Sequence, residues 1–271
     1  MISQNVLLIG AGTSSTDIAR ELASFANKIY QSGRNGKFEL PAKLLPPNGV
    51  RIGPIRSFDD IREEEPSDGT FPGTITLETG EKLCNIHSII ICTGYHITLP
   101  FLAPYHEDET PLTEASDTVL VTDGTQIHNL HKDMWYIPDP SLIFVGVPYF
   151  TANFTLFEFQ AIAVAAVLSG WADLPNEAEM RRQYQEKVKE MGFGKNFHSL
   201  LGKEVEYVNE LLEWVNRDGE RWSRPKWSGH TEEWHRAKEE QMQKFKTLLL
   251  GAGGIGGGVA PPLDYVLLPC S

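Results

Sequence analysis

The fold is decided by a stretch near the start of the chain, VLLIGAGTSSTDIA at residues 6–19. Its four apolar residues predict a buried strand, GAG predicts a tight turn, and TSSTDIA predicts the first turns of a helix. This order brings backbone N–H groups and the positive end of a helix dipole together, where they bind a pyrophosphate. The sequence therefore predicts an α/β fold with a Rossmann-like dinucleotide-binding domain.

The residues of the turn have separate expected parts in that site. Gly10 permits the tight turn, and Gly12 lets the phosphates approach the backbone. Thr13 and Ser14 follow at the helix N-terminus, where N–H groups have no partner within the helix. Ser15 replaces the third glycine of the usual fingerprint. It is small enough for close packing of the helix on the strand, but it weakens the match.

The second predicted strand, KIYQSGR at residues 28–34, indicates which dinucleotide is bound. An NAD site carries an Asp or Glu about 20 residues beyond the glycine turn to accept from the ribose 2′-hydroxyl. Here the sequence offers Ser32 and Arg34, with no carboxylate beside them. Arginine holds a phosphate with paired, charge-assisted hydrogen bonds, so the pattern favours NADP(H). The alternative is that Arg34 is a solvated turn residue.

Composition excludes several other classes. The 271 residues are 41% hydrophobic and 22% charged, enough for a real core in one or two domains. A formal net charge of −12 argues against nucleic-acid and anionic-membrane binding. The three cysteines lack metal-ligand spacing, and no secretory signal precedes the first strand, so a cytoplasmic protein is expected. The longest apolar helix, predicted at residues 152–168, is too short to span a bilayer, so no transmembrane segment is expected.

Further patterns complete the first domain. Residues 74–83 alternate between polar and apolar around a Thr-Gly turn, which predicts a hairpin. SIIIC at residues 88–92 predicts a parallel strand buried on both faces, and it ends in Thr93 and Gly94. The chain between Arg34 and this hairpin is expected to be loop.

With these segments the chain resembles the flavin-containing monooxygenases. The resemblance rests on GAGTSSTDIA at residues 10–19, SGR at 32–34, IICTGY at 90–95, DPSLIFVG at 139–146 and FTLFEFQ at 154–160. These motifs stand in the family's order. Together they extend the resemblance over roughly residues 4 to 215.

The resemblance implies an NADPH domain inserted into a larger FAD domain. In such enzymes NADPH reduces FAD, and the reduced flavin uses O2 to oxygenate a soft nucleophile such as an amine or a thioether. It also implies that Thr93 and Gly94 lie near the cofactors, and that Gln160 lies on a helix beside the flavin. The plain alternatives are a strand-to-loop turn and a polar helix residue bonded to backbone. No catalytic residue is assigned.

The resemblance divides the chain into three parts. Residues 1–100 would form the NADP(H)-binding domain, and residues 101–249 the C-terminal part of the FAD domain with added helices. Residues 250–271 would form a disordered Gly/Pro-rich tail. The family's first FAD fingerprint is not found. We therefore expect either a fragment or truncated form of a monooxygenase, or a chain whose missing half is supplied by a partner chain. In both cases the chain is expected to be inactive alone.

Two other functions stay open at this point. One is a related Baeyer–Villiger or N-hydroxylating flavoprotein, and the other is a catalytically silent NADP-binding module. Metal binding is not expected, because His128, His131 and Asp133 lack a fourth ligand at a familiar spacing. The glycines of LLLGAGGIG at residues 248–256 imitate a FAD fingerprint, but the prolines and glycines that follow prevent the helix it needs.

Overall fold

The computed structural model describes residues 4–36, 38–63 and 66–250. For residues 245 and 248–250 it describes the backbone only. Contacts divide these residues into two compact units. The first takes in the chain up to Tyr95 and the described residues from Gln241 on, and the second is His96–Glu240. From residue 251 on, the predicted tail and most of the imitation fingerprint lie outside the described residues.

The first unit contains seven of the described strands, one complete α-helix and the end of the C-terminal helix. The helix α1 is Thr13–Glu21, and the strands are β1 (Gln4–Ile9), β2 (Ala26–Ser32), β3 (Gly49–Ile52), β4 (Ile55–Asp59), β5 (Thr74–Leu77), β6 (Lys82–Leu83) and β7 (Ser88–Ile91). A parallel sheet has the order β3-β2-β1-β7. This mixed α/β architecture with a parallel sheet confirms the predicted fold class.

Both faces of the parallel sheet have packing partners at β1. The expectation that the strand at residues 88–92 is buried on both faces is wrong, because β7 is the edge strand, its residues are at most half-buried and Ile91 is 74% exposed. Leu7 packs with Ile75 and Leu77 of the antiparallel sheet β4-β5-β6. Its neighbour Leu8 points to the other face and packs with Ala19 of α1 and Ile29. Because successive side chains of a strand alternate in direction, β1 ties both layers together.

The hairpin predicted at residues 74–83 is confirmed by the antiparallel pairing of β5 with β6. The expectation of loop between Arg34 and the hairpin is wrong for two segments, because β3 pairs in parallel with β2 and β4 pairs with β5. Both strands are short, and Gly53-Pro54 separates them. Their stability comes from the strands beside them, which a local pattern does not reveal.

The second unit is built mainly from helices. Its elements are β8 (Leu130–His131), β9 (Trp135–Tyr136), α2 (Asn153–Leu168), α3 (Glu177–Met191), α4 (Glu204–Gly219) and the first part of α5 (Glu232–Leu250). Trp135 and Trp214 meet edge to face with ring centroids 5.4 Å apart, in a core shared with Ala163, Ala166 and Leu211. Within the described residues, no helix has both the length and the apolar character needed to cross a membrane.

Candidate functional site

Gly10 closes the turn after β1, and the fold itself requires a glycine there. Its φ is +112°, a conformation that residues with a side chain rarely adopt. A Cβ at this position would lie 2.3 Å from the Cys92 carbonyl oxygen. The Gly10 N–H donates to the Ser32 carbonyl at 3.0 Å. The turn therefore joins the carboxyl ends of β1 and β2 and the chain just after β7.

Gly12 is different, because the protein's own packing admits a larger residue. Its φ is −83°, and a Cβ there would meet no described atom closer than the Phe38 carbonyl oxygen, at 3.8 Å. Gly12 is the N-cap of α1, and its first turn has neither a capping side chain among the described residues nor an acidic residue. With half-buried Thr13 and exposed Ser14, this N-terminus presents N–H groups suited to an anion.

The side chains of Ser15 and Ser32 point into the protein. Ser15 is fully buried, donates to the Gly12 carbonyl at 3.1 Å and accepts from the Gln31 amide at 2.7 Å. Ser32 donates to the Gly53 carbonyl at 3.0 Å. Ser15 thus lies where α1 packs on β2. The Ser15 hydroxyl connects α1 to β2, and the Ser32 hydroxyl connects the end of β2 to the residue that follows β3.

Arg34 stands just beyond β2, where its side chain is exposed. Its backbone N–H donates to the Glu39 carboxylate, which also pairs with Arg51 at 3.3 Å. The sequence showed no carboxylate near Arg34 because Glu39 is five positions further on. In space, the Glu39 Oε2 atom lies 2.7 Å from where a Cβ on Gly33 would stand. The expectation that no carboxylate lies beside the end of β2 is therefore wrong.

Thr93 and Gly94 follow β7 and are exposed. The Thr93 nitrogen lies 3.3 Å from the position of a Cβ on Gly10. Because β1 and β7 are parallel neighbours, their carboxyl ends meet at one edge of the sheet. The structure thus brings together the glycine turn, Arg34 and the Thr93-Gly94 segment within the first unit.

Gln160 belongs to the second unit and is fully buried on α2. Its Oε1 atom accepts from the Gly146 N–H at 2.8 Å, and its Nε2 atom donates to the Tyr207 hydroxyl at 3.0 Å. At the start of the same helix, the Ala152 N–H donates to the buried Glu204 carboxylate at 2.9 Å. The resemblance implied that this helix lies beside a flavin. In the structure, the Gln160 amide and the N–H at the start of the helix form hydrogen bonds within the protein.

His128 and His131, whose spacing does not match a familiar metal site, are buried near the β8–β9 hairpin. Burial lowers the pKa of His128 and of His131 to about 4. Burial alone would raise the pKa of Asp133, but Lys187 and His198 outweigh it and hold that pKa at about 2. In the part of the chain that the structure describes, no three His, Cys, Asp or Glu side chains are grouped as metal ligands.

No family model matches the chain. The curated proteins to which it is similar are monooxygenases. The flavin-containing monooxygenase ustF2 of Aspergillus flavus is 50% identical over 247 residues, covering 90% of this chain and 50% of that protein. The flavin-containing monooxygenase ustF1, also of Aspergillus flavus, is 39% identical and covers 91% and 46%. A thiol-specific monooxygenase of Saccharomyces cerevisiae is 30% identical and covers 84% and 45%.

A solved structure supports the fold. The structure of S-allyl-L-cysteine S-oxygenase from Allium sativum aligns with a TM-score of 0.62 at 23% identity, covering 92% of this chain and 51% of that one. The chain spans about half the length of the curated relatives that it matches. The similarity therefore extends over nearly all of this chain and over one half of its relatives.

Proposed function

We propose that this chain, a homologue of the flavin-containing monooxygenases over about half of their length, binds NADP(H) at the glycine turn of its first unit. The observation that carries the proposal is the pair of glycines. Gly10 is demanded by the fold, whereas Gly12 leaves open space beside an uncapped helix N-terminus, where a pyrophosphate needs to approach.

The residues around the turn fit NADP(H) in position and charge. The N–H groups at Gly12, Thr13 and Ser14 would hold the pyrophosphate, and the Arg34 guanidinium would hold the 2′-phosphate. Among the described residues, Arg34 has no ion-pair partner for its side chain that would compete with a phosphate. Ser15 and Ser32 act by position, since their hydroxyls are bonded within the protein. Thr93 and Gly94 border the same edge of the sheet.

In the whole enzyme we propose NADPH- and FAD-dependent oxygenation of a soft nucleophile by O2. FAD, when bound, supplies the oxygen-activating chemistry, and this chain's first unit holds the reductant. The thiol-specific relative supports a sulfur compound among the substrates. Gln160 receives no flavin contact in this proposal, because Gly146 and Tyr207 already occupy both ends of its amide.

A second candidate function is an NADP-binding module without oxygenation. It is favoured by the same internal bonds of Gln160 and by the Glu204 carboxylate at the start of α2, which takes the place of an external anion. Adding the N-terminal half of a full-length relative in trans, with FAD and NADPH, and following O2 uptake and thioether oxidation separates the two. Sulfoxide formation supports the monooxygenase, and NADPH binding without flavin retention or O2 uptake in the presence of that half supports the module.

Calorimetric titration of the full chain with NADP⁺ and NAD⁺ tests the binding proposal. We expect NADP⁺ to bind more tightly. Arg34→Ala should weaken NADP⁺ binding by roughly ten- to a hundredfold, the value of about 1.5–3 kcal/mol for a charge-assisted contact, and leave NAD⁺ binding nearly unchanged. Arg56→Ala removes an exposed arginine from β4 and serves as the control. Equal affinities of the parent chain for both dinucleotides would contradict the proposal.

A further inference from the structure

The loop after β2 is fastened to the glycine turn by a partly buried polar network. We name residues 34–36 and 38–40 the phosphate loop, because this segment begins with Arg34. The Leu40 N–H donates to the Ala11 carbonyl at 2.8 Å, and the Phe38 carbonyl faces Gly12. One end of the loop therefore rests on the turn that would bind the pyrophosphate.

Arg51 of β3 is the centre of the network. Its Nη2 atom donates to the Leu40 carbonyl at 2.7 Å and to the Gln31 Oε1 atom at 2.8 Å, and its Nη1 atom pairs with Glu39. Gln31 is fully buried and continues the network to Ser15 at 2.7 Å. A single guanidinium thus connects two strands, the phosphate loop and the first turn of α1.

Glu39 performs two tasks with opposite effects on a bound phosphate. Its Oε1 atom accepts from the Arg34 N–H and so fixes the backbone from which the Arg34 side chain extends. Its negative charge, however, stands at the end of β2, where NAD enzymes carry the carboxylate that disfavours a 2′-phosphate. Arg51 offsets this charge at 3.3 Å, so Arg34, Glu39 and Arg51 together carry one net positive charge.

We propose that Glu39 and Arg51 are positioning residues that set the preference for NADP(H) over NAD(H). Glu39 holds Arg34 in place for the 2′-phosphate, and Arg51 neutralises the carboxylate that would otherwise repel it. The inference rests on the proposed NADP(H) site. Neither residue needs to contact the cofactor. Their effect is therefore measured by the ratio of the affinities for NADP⁺ and NAD⁺, and not by either affinity alone.

The experiment compares three variants by titration with NADP⁺ and NAD⁺. Arg51→Met leaves the Glu39 charge uncompensated, so NADP⁺ binding should weaken roughly tenfold more than NAD⁺ binding does. Glu39→Gln removes the charge and keeps an acceptor for the Arg34 N–H, so NADP⁺ binding should hold or tighten. Glu39→Ala removes both, so its NADP⁺ affinity should fall several-fold below that of Glu39→Gln, with NAD⁺ affinity alike in the two.

A control variant, an alternative comparison and a check of folding accompany these titrations. Arg56→Met removes an arginine from β4 and should leave the affinity ratio unchanged. If Arg51→Met does not fold, the comparison of Glu39→Gln with Glu39→Ala still decides, because Glu39 lies in a loop and both variants lose the same charge. Thermal melting confirms the fold of each variant.

The inference and the function on which it rests fail in different ways. A parent chain without preference for NADP⁺ overturns the proposed site. A parent chain that prefers NADP⁺ overturns the inference and leaves the site standing if a folded Arg51→Met variant keeps the parent's affinity ratio, or if Glu39→Gln and Glu39→Ala bind NADP⁺ equally well.

Discussion

At the scale of single residues, Gly10 and Gly12 are glycines for different reasons. Gly10 has a positive φ and is in close contact with the backbone of Cys92. Gly12 has an ordinary φ and open space around its Cα atom. The first glycine therefore serves the fold, and the second is free to serve a ligand.

This difference predicts opposite outcomes for two alanine substitutions. Gly10→Ala should destabilise the protein by about 2–5 kcal/mol, from backbone strain and the clash with Cys92. Gly12→Ala should change the free energy of unfolding by no more than about 1 kcal/mol, the scale of a poorer N-cap, and yet weaken NADP⁺ binding. Urea unfolding followed by tryptophan fluorescence, with calorimetric titration, measures both. A Gly12→Ala variant that binds NADP⁺ like the parent would remove the main support for the site.

Ser15 and Glu39 show what could be predicted about the site from the sequence. The glycine turn has a local signature, so its position and the packing role of Ser15 followed from the order of residues. Glu39 and Arg51 reach the end of β2 from a loop and from a strand that has no clear pattern. Contacts of this kind depend on tertiary structure, so the charge balance around Arg34 could not be predicted.

At the scale of elements, a buried ionic cluster fastens the β8–β9 hairpin to α3. Asp133 lies in the hairpin loop with 1% of its side chain exposed. It accepts from Lys187 of α3 at 2.6 Å and bonds His198 at 2.8 Å. Lys132 and Asp133 both have positive φ, at 50° and 57°, so the turn is strained. The cluster therefore holds a strained turn against a helix.

Asp133→Asn tests this cluster. Removing the carboxylate should lower the free energy of unfolding at pH 7 by about 3–5 kcal/mol, as for other broken buried pairs. The folded-state pKa of about 2 lies below the ordinary 3.8, so the carboxylate stabilises the fold above pH 4. That contribution is lost as the pH falls toward 2, so parent and variant should converge in acid. Urea unfolding at pH 7 and pH 3 measures the difference, with Glu109→Gln as the surface control.

The predicted elements that proved correct are those with a strong local pattern. The helix expected at residues 152–168 is α2, and the hairpin at 74–83 is β5 with β6. The strands β3 and β4 were missed because they are short and take their stability from their neighbours. Gln160 was placed on the correct helix, but its internal partners are Gly146 and Tyr207, 14 and 47 residues away and outside that helix.

At the scale of the whole molecule, stability should depend on pH through histidines that burial keeps neutral. Burial lowers the pKa of His128, His131 and His230 to about 4 in the folded protein. Neither ring nitrogen of His131 has a hydrogen-bond partner within the described residues. In the unfolded chain each of these histidines titrates near its ordinary value of 6.5.

The unfolded chain therefore binds more protons than the folded protein between pH 6.5 and pH 4. The free energy of unfolding should fall as the pH drops through this window. His131→Phe keeps an aromatic ring of similar size and removes one of the three groups, so its profile should be flatter. Thermal melting between pH 7 and pH 4 gives both profiles. A parent profile that is level down to pH 4 would show that these histidines are not held neutral.

The contact between Gly10 and Cys92 also has a consequence for folding during synthesis, because the two residues are 82 positions apart in the chain. The ribosome makes β1 and the glycine turn first, but β7 completes this sheet edge, where the Cys92 N–H donates to Ile9 at 2.7 Å. At about 5–20 residues per second, several seconds separate the synthesis of the two segments. A nascent chain has the nucleotide fingerprint long before the strand that fixes its shape. Binding of the proposed NADP(H) would therefore wait for residue 92, and a stalled shorter chain would carry the motif without the turn geometry that Cys92 fixes.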